Sequence, residues 1–144
     1  MQSAFPVVYA TLAAGTRAPA QARYEVGRAC HGWSTSTIDT AKLLVSELVT
    51  NAVVHAAGNI DLAIARTPSL LRVEVTDAGT SPVQPLRNTH VDDEYGRGLH
   101  IVAALATAWG SRPGTVSDGH VSGGNMVWFE LRPDAPTLPA VPTR

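Results

Sequence analysis

The stretch Leu43 to Ala57, Leu-Leu-Val-Ser-Glu-Leu-Val-Thr-Asn-Ala-Val-Val-His-Ala-Ala, limits what this chain can fold into more than any other. Its apolar residues recur at helical spacing on more than half of the helix surface, so the helix has to be covered on most sides. Glu47 and Asn51 nevertheless sit inside the run. A helix turns ~100° per residue, so two side chains four apart point in directions only ~40° different, one turn up. A carboxylate and a carboxamide therefore leave a mostly apolar helix together. Burying either group without a partner costs about 2 kcal/mol or more. A solvated stripe, a bound ligand or a metal ion would each meet that need.

Bulk properties narrow the classes. With 144 residues, 44% of them apolar, the chain suits one compact domain with a real core. The net charge of −1 and the absence of a basic run argue against nucleic acid as a direct partner. Lys42 is the sole lysine and stands in no Gly-Lys-Ser/Thr step, which removes a Walker-type phosphate loop. The lone Cys30 excludes an internal disulfide and a cysteine zinc cluster, and reads as a core thiol. The start, Met1 to Leu12, lacks a basic segment and contains Pro6, so no signal peptide is expected. The apolar segments are too short to span a bilayer, and a cytoplasmic protein with no membrane partner is the expectation.

In chain order, Ser3 to Thr11 is β-prone around Val7-Val8-Tyr9. Pro19 suits a first helical turn, and Ala20 to Trp33 carries Ala22, Val26, Ala29, Cys30 and Trp33 at helical spacing. Ser36 with Asp39 resembles a capping box for a helix over Thr37 to Ala57, with Gly58 as its stop. Ile60 to Ala65 and Leu70 to Asp77 alternate as strands. Asp77 shares the parity of Leu71, Val73 and Val75, so it turns towards the core side at the strand's end. Gly79 to Tyr95 has no periodicity, holds the acidic run Asp92-Asp93-Glu94, and reads as a lid. A helix resumes from Leu99 to Ala108, followed by strands over Trp109 to Val116 and Met126 to Leu131. Residues 1–131 form the expected domain, and 132–144, with Pro133, Pro136, Pro139 and Pro142, a disordered tail. The order has too few alternations for a doubly wound parallel sheet. It fits an α+β two-layer sandwich, a mixed and mostly antiparallel sheet with helices on one face.

Four features carry possible chemistry, each with a plain reading beside it. The amide oxygen of Asn51 suits Mg²⁺, which takes few protein ligands and keeps phosphate oxygens and waters. Glu47, one turn away, can orient or deprotonate a nucleophile. Judged alone, the pair is as well explained by a solvated stripe. Asp77-Ala78-Gly79 is by itself a strand-ending turn, but an inward carboxylate accepts well from an exocyclic amino group such as adenine's, and Gly79 lets a flat ring approach the backbone. Gly96-Arg97-Gly98 is a common kind of glycine pair, yet before a helix it offers free N–H groups and a cation to phosphate. The five histidines, His55 among them, show no metal-ligand spacing.

Taken in order, Glu47-x-x-x-Asn51, Asp77-x-Gly79, a lid and Gly96-x-Gly98-Leu99 resemble the GHKL ATPase/kinase superfamily, the Bergerat fold. Leu44 to Ala52, Gly96 to Leu99 and Val127-Trp128-Phe129 are similar, more narrowly, to small anti-sigma factor serine/threonine kinases of actinobacterial type. The resemblance covers roughly Thr16 to Leu131. It implies ATP and Mg²⁺ as cofactors, with Asn51 on the metal, Glu47 as general base, Asp77 on the adenine amino group and Gly79 shaping the adenine pocket. Gly96, Arg97 and Gly98, closed by Leu99, would cover the phosphates. It further implies a STAS-domain anti-sigma factor antagonist as phosphoryl acceptor, a sigma factor as second partner, and a homodimer. The alternative is a catalytically weak or inactive ATP-binding module that acts by partner binding alone. Two positions depart from the pattern. Asn125-Met126 stand where the family carries Lys-Thr, which removes a hydroxyl from the adenine pocket, and Ser81 stands where the Asp-x-Gly-x-Gly box has its last glycine. A two-component histidine kinase and a topoisomerase or repair ATPase are not expected, since these residues include neither a dimerising helix pair nor a transducer domain.

Overall fold

The computed structural model describes residues 7–55, 58–77, 94–112, 115–117, 120–122 and 125–134. The elements follow as β1 (Val7–Leu12), α1 (Ala18–Ala29), α2 (Thr35–His55), β2 (Ile60–Thr67), β3 (Leu70–Asp77), α3 (Glu94–Leu105), β4 (Ala108–Arg112), β5 (Thr115–Ser117), β6 (His120–Ser122) and β7 (Asn125–Leu131). Five strands form one sheet in the order β1-β2-β3-β7-β4, every pair antiparallel. β5 and β6 make a separate two-stranded hairpin. The three helices lie on one face, α1 against β1 and β2, α2 against β2, β3 and β7, and α3 against β4. This is the two-layer α+β sandwich expected. Among the described residues no helix is long and apolar enough to cross a membrane.

Alternation builds the core. Ile60, Leu62 and Ile64 of β2, Leu71, Val73 and Val75 of β3, and Phe129 and Leu131 of β7 are buried on the helix side. Ala41, Leu44, Val45, Leu48, Val49 and Ala52 of α2 meet them. The opposite sheet face closes on itself through ions and a ring rather than through a second layer. Arg72 donates from Nε to Glu74 at 2.9 Å and from Nη1 to Glu130 at 2.9 Å, and its guanidinium lies 4.3 Å from the Trp128 ring. Gly110 leaves room for that ring, since a Cβ there would stand 2.9 Å from Trp128 Cζ2.

The helix boundaries move from their sequence positions for identifiable reasons. Pro19 does sit in the first turn of α1, but α1 stops at Ala29, before Trp33. Gly32, at φ 93°, takes the left-handed conformation that breaks the run. Arg66 reaches across from β2 and donates to the carbonyls of Ala29 and His31, 2.8 Å each, while its guanidinium lies 4.5 Å from the Trp33 ring. A tertiary contact thus satisfies carbonyls that the helix end leaves open. The cap of α2 is Ser34 and not Ser36. Ser34 Oγ accepts from the Thr37 N–H at 3.1 Å, and its carbonyl accepts the first helical bond from Ile38 at 3.0 Å. Gly58, at φ 111°, has the left-handed backbone expected of it. α3 starts at Glu94, so Gly96, Arg97 and Gly98 lie in its first turns and do not precede it. The rest of the expected lid, and residues 135–144 of the expected tail, fall outside the described residues.

Arg66→Ala should leave two carbonyls short of a charged donor and cost about 1.5–3 kcal/mol in urea unfolding. Ser34→Ala should cost about 1 kcal/mol through its cap. Burial pushes the Cys30 thiol up to about 11 from 9.0, against the pull of Arg66 and Lys42. The folded state then holds the thiol proton more tightly than the unfolded state. The stability this confers is whole below 9.0 and is lost as pH rises from 9.0 to about 11. Across that window, urea midpoints should fall more steeply for the wild type than for Cys30→Ala.

Candidate functional site

Three chain directions bring the singled-out residues to one end of the molecule. At the far end, the Asp134 N–H donates to Thr37 Oγ1 at 3.0 Å, which anchors the start of α2 beside the end of β7. The 21 residues of α2 then carry the chain ~31 Å to the other end. There β2 begins at Ile60, whose cross-strand partner is Asp77, the last residue of β3. On its other side Asp77 pairs with Asn125, the first residue of β7. α3 runs in the reverse sense. Thr107, just past its end, donates its N–H to Glu130 O at 2.8 Å, which is the far end of the sheet. The N-terminal turn of α3, with Gly96, Arg97 and Gly98, therefore points back towards Asp77.

The flank of α2 is set just as plainly. Arg23 Nη1 of α1 donates to Ser46 Oγ at 2.8 Å, and the Lys42 side chain lies against Gly27 of α1. These contacts mark the α1 side of α2. Asn51, five residues after Ser46, lies ~140° round the helix and so on the opposite flank, the side where α3 packs. Asn51 is buried, at 9% exposure. Glu47 is half-buried and sits ~40° further towards solvent, among the exposed positions Asp39, Leu43, Thr50 and Val54. Glu47 thus edges the solvated stripe, whereas Asn51 lies on the packed side of the helix.

Asp77 is half-buried and on the helix face, as its parity required. The sequence reading missed Asn125. Taken from the sequence as part of a lost hydroxyl, it stands directly opposite Asp77, on the same sheet face, and is only 6% exposed. Directly opposed residues in an antiparallel pair hold their Cβ atoms ~5 Å apart, so the two side chains are neighbours. Met126 points to the other face, where it pairs with Thr76 and Arg112. The signal was present. Asn125 shares the parity of Val127, Phe129 and Leu131, the same count that turned Asp77 inward. Leu99 is buried in the core beneath α3. Gly79 and the side chains of Arg97 and His55 lie outside the described residues.

The set holds two kinds of group. At the end of the sheet an acceptor-only carboxylate and a carboxamide that both donates and accepts stand side by side, which suits the mixed edge of a nucleobase. On α2, the Asn51 oxygen fits a hard cation, and Glu47 one turn away can take a proton. Glu47, Asp77 and Asn125 each make an interaction within the fold, so a ligand here exchanges contacts with residues already held in place. Among the described residues no three His, Cys, Asp or Glu side chains gather as a metal-holding group. A cation on Asn51 would draw also on phosphate oxygens and water, the ligation Mg²⁺ favours.

A family model described as a histidine kinase-like ATPase domain matches residues 10–130, from β1 through β7 and across every element of the site. No curated protein matches the chain. For a base-binding pair, Asp77→Asn should weaken ATP binding about 10- to 100-fold in calorimetry, the worth of one charged hydrogen bond. Asn125→Ala should weaken it about tenfold. Met126→Thr, which restores a hydroxyl on the far face of the sheet, should leave it unchanged. With its sheet order, its helix layer and the model match in agreement, the chain belongs to the histidine kinase-like ATPase domain family, whose fold binds ATP.

Proposed function

We propose that this protein is an ATP-dependent serine/threonine kinase that phosphorylates a STAS-type anti-sigma factor antagonist and sequesters a sigma factor. The placement of Glu47 carries the reading. Asn51 and Asn125 are buried, whereas Glu47 stands half-exposed on the outer stripe of α2, one turn from Asn51. A carboxylate at the mouth of a nucleotide site is within reach of a hydroxyl on another protein. Glu47 takes the hydroxyl proton, the oxygen attacks the γ-phosphorus of ATP, and ADP leaves with the bridging oxygen's electron pair. Asp77 and Asn125 hold the base, so the phosphates run towards Asn51 and the first turn of α3. Mg²⁺ held by Asn51 would supply charge neutralisation on those phosphates. The remaining work is positioning, which is most of what phosphoryl transfer asks of a protein.

Radiolabelled γ-phosphate transfer from ATP to a purified STAS-domain protein tests this. Glu47→Ala should lower transfer by about 10²- to 10⁴-fold, the usual worth of a general base, with ATP affinity little changed. Undiminished transfer would remove Glu47 from the base role. Tight ATP binding with no transfer to any STAS-domain protein of the same cell would favour the other reading, a module that binds ATP and acts through partner binding alone.

A further inference from the structure

The sheet face turned away from the helices is finished unevenly. Across β3 and β7 it is closed by Arg72 with Glu74, Glu130 and the Trp128 ring. Across β1 and β2 the alternation that buries Leu62 and Ile64 puts Asp61, Ala63 and Ala65 on this open face, with Val7, Tyr9 and Thr11 as their cross-strand partners. Tyr9 is 78% exposed and Val7 is exposed beside it. The two alanines make a low floor between the taller side chains of β1 and β3. A cleft of about 530 Å³ lies over this floor, lined by Tyr9, Thr11, Asp61, Ala63, Glu74 and Thr76. Arg72 leans out of it, since its Nη1 reaches Glu130 on β7, the side away from β2. The cleft is therefore edged by carboxylates. One guanidinium is shared between Glu74 and Glu130, which leaves that cluster net negative. Asp61 accepts from the Thr11 hydroxyl at 3.0 Å, a neutral partner, so its charge stays uncompensated among the described residues.

We propose that this cleft docks an arginine-bearing, otherwise apolar segment of another protein, with the guanidinium seated over Ala63. Ala63 stands directly between Tyr9 and Glu74 in one cross-strand row. Neighbouring strands lie ~4.8 Å apart, so the ring and the carboxylate flank the alanine from ~10 Å across. Asp61 follows on the same face of β2, diagonal to Glu74 and within reach of a long side chain on that floor. A guanidinium there meets the Tyr9 ring on one side and two carboxylates on the other. Its planar fork of five donors can serve both carboxylates and still lie against a ring, which the point charge of a lysine does less well. Val7 and Ala65, the next row along, offer an aliphatic neighbour of that arginine an apolar surface. The charge argues against the phosphates of nucleic acid or of an acidic membrane, which like charges would repel. This inference stands independently of the kinase reading.

A phage-displayed library of random peptides, selected on the full chain, tests it. The enriched peptides should carry arginine beside aliphatic residues. In fluorescence anisotropy, replacing that arginine by citrulline, its neutral isostere, should raise the dissociation constant about tenfold or more, and lysine should recover only part of the loss. Asp61→Asn, which keeps an oxygen for Thr11, should weaken binding by a similar factor. Ala63→Arg, which fills the cleft from its own floor, should abolish it. ATP affinity should stay at the wild-type value in both variants, because the cleft lies on the face opposite Asp77 and Asn125. If Ala63→Arg melts early, the citrulline and Asp61→Asn comparisons decide alone. A selection that enriches nothing, or peptides without arginine, would overturn the proposal. So would binding indifferent to citrulline or to Asp61→Asn, or unchanged in a folded Ala63→Arg. Self-association of the wild type in sedimentation, lost in Ala63→Arg, would overturn it too, by giving the cleft to a second copy of the chain.

Discussion

The site depends on the register in which β3 pairs with its two neighbours. Ile60, Asp77 and Asn125 stand in one cross-strand row, all on the helix face. A slip of one residue would send the row to the open face and bring Thr76 inward, because side chains alternate with a period of two. The buried set of Leu71, Val73, Val75, Leu62, Ile64 and Phe129 forbids such a slip, since each would surface with the rest. Core packing therefore aims the polar pair at the sheet's end. The residues with candidate chemistry are held by apolar neighbours that have none.

The same arrangement separates a packed interior from a rim that carries the candidate residues. α2 is anchored at its start by the Ser34 cap and the Asp134 contact, and along one flank by Arg23 on Ser46. Its other flank, with Asn51, is the one that faces the candidate site. Because α2 runs towards Asp77 and α3 runs away from it, the last turns of one helix and the first turn of the other meet over the sheet's end. Glu47 falls on the outer side of that meeting, where a carboxylate stays solvated and reachable. The open face of the sheet takes no part. It is settled by Arg72 between Glu74 and Glu130 beneath Trp128, a cluster that leaves its charges satisfied.

Much of this was legible in the residues. The alternation of Leu70 to Asp77 placed an inward carboxylate correctly, and the helical period of Leu43 to His55 gave the buried side of α2. The order of elements excluded a doubly wound sheet. The errors lay at helix ends, and each has a contact behind it. Two serines could cap α2, and Ser34 is used because its hydroxyl reaches the Thr37 N–H. Gly96 and Gly98 read as a break, yet the backbone of α3 begins before them. At Asn125 the motif shows only that a hydroxyl is missing, whereas strand parity shows that the residue stands on the helix face beside Asp77.

By itself the sequence determined the class of the fold and which side of each strand faces inward, because periodicity is a property of a single segment. It also determined that Asn51 and Asp77 would need partners, because polar groups in apolar runs carry their cost locally. Only the tertiary structure decided that Asp77 and Asn125 are neighbours, that Asn51 is buried while Glu47 is half-exposed, and that Arg66 closes α1. Those are facts of strand pairing and helix direction, made between residues tens of positions apart in the chain. Local pattern sets the faces of the elements, and only the packing of one element on another sets which side chains meet.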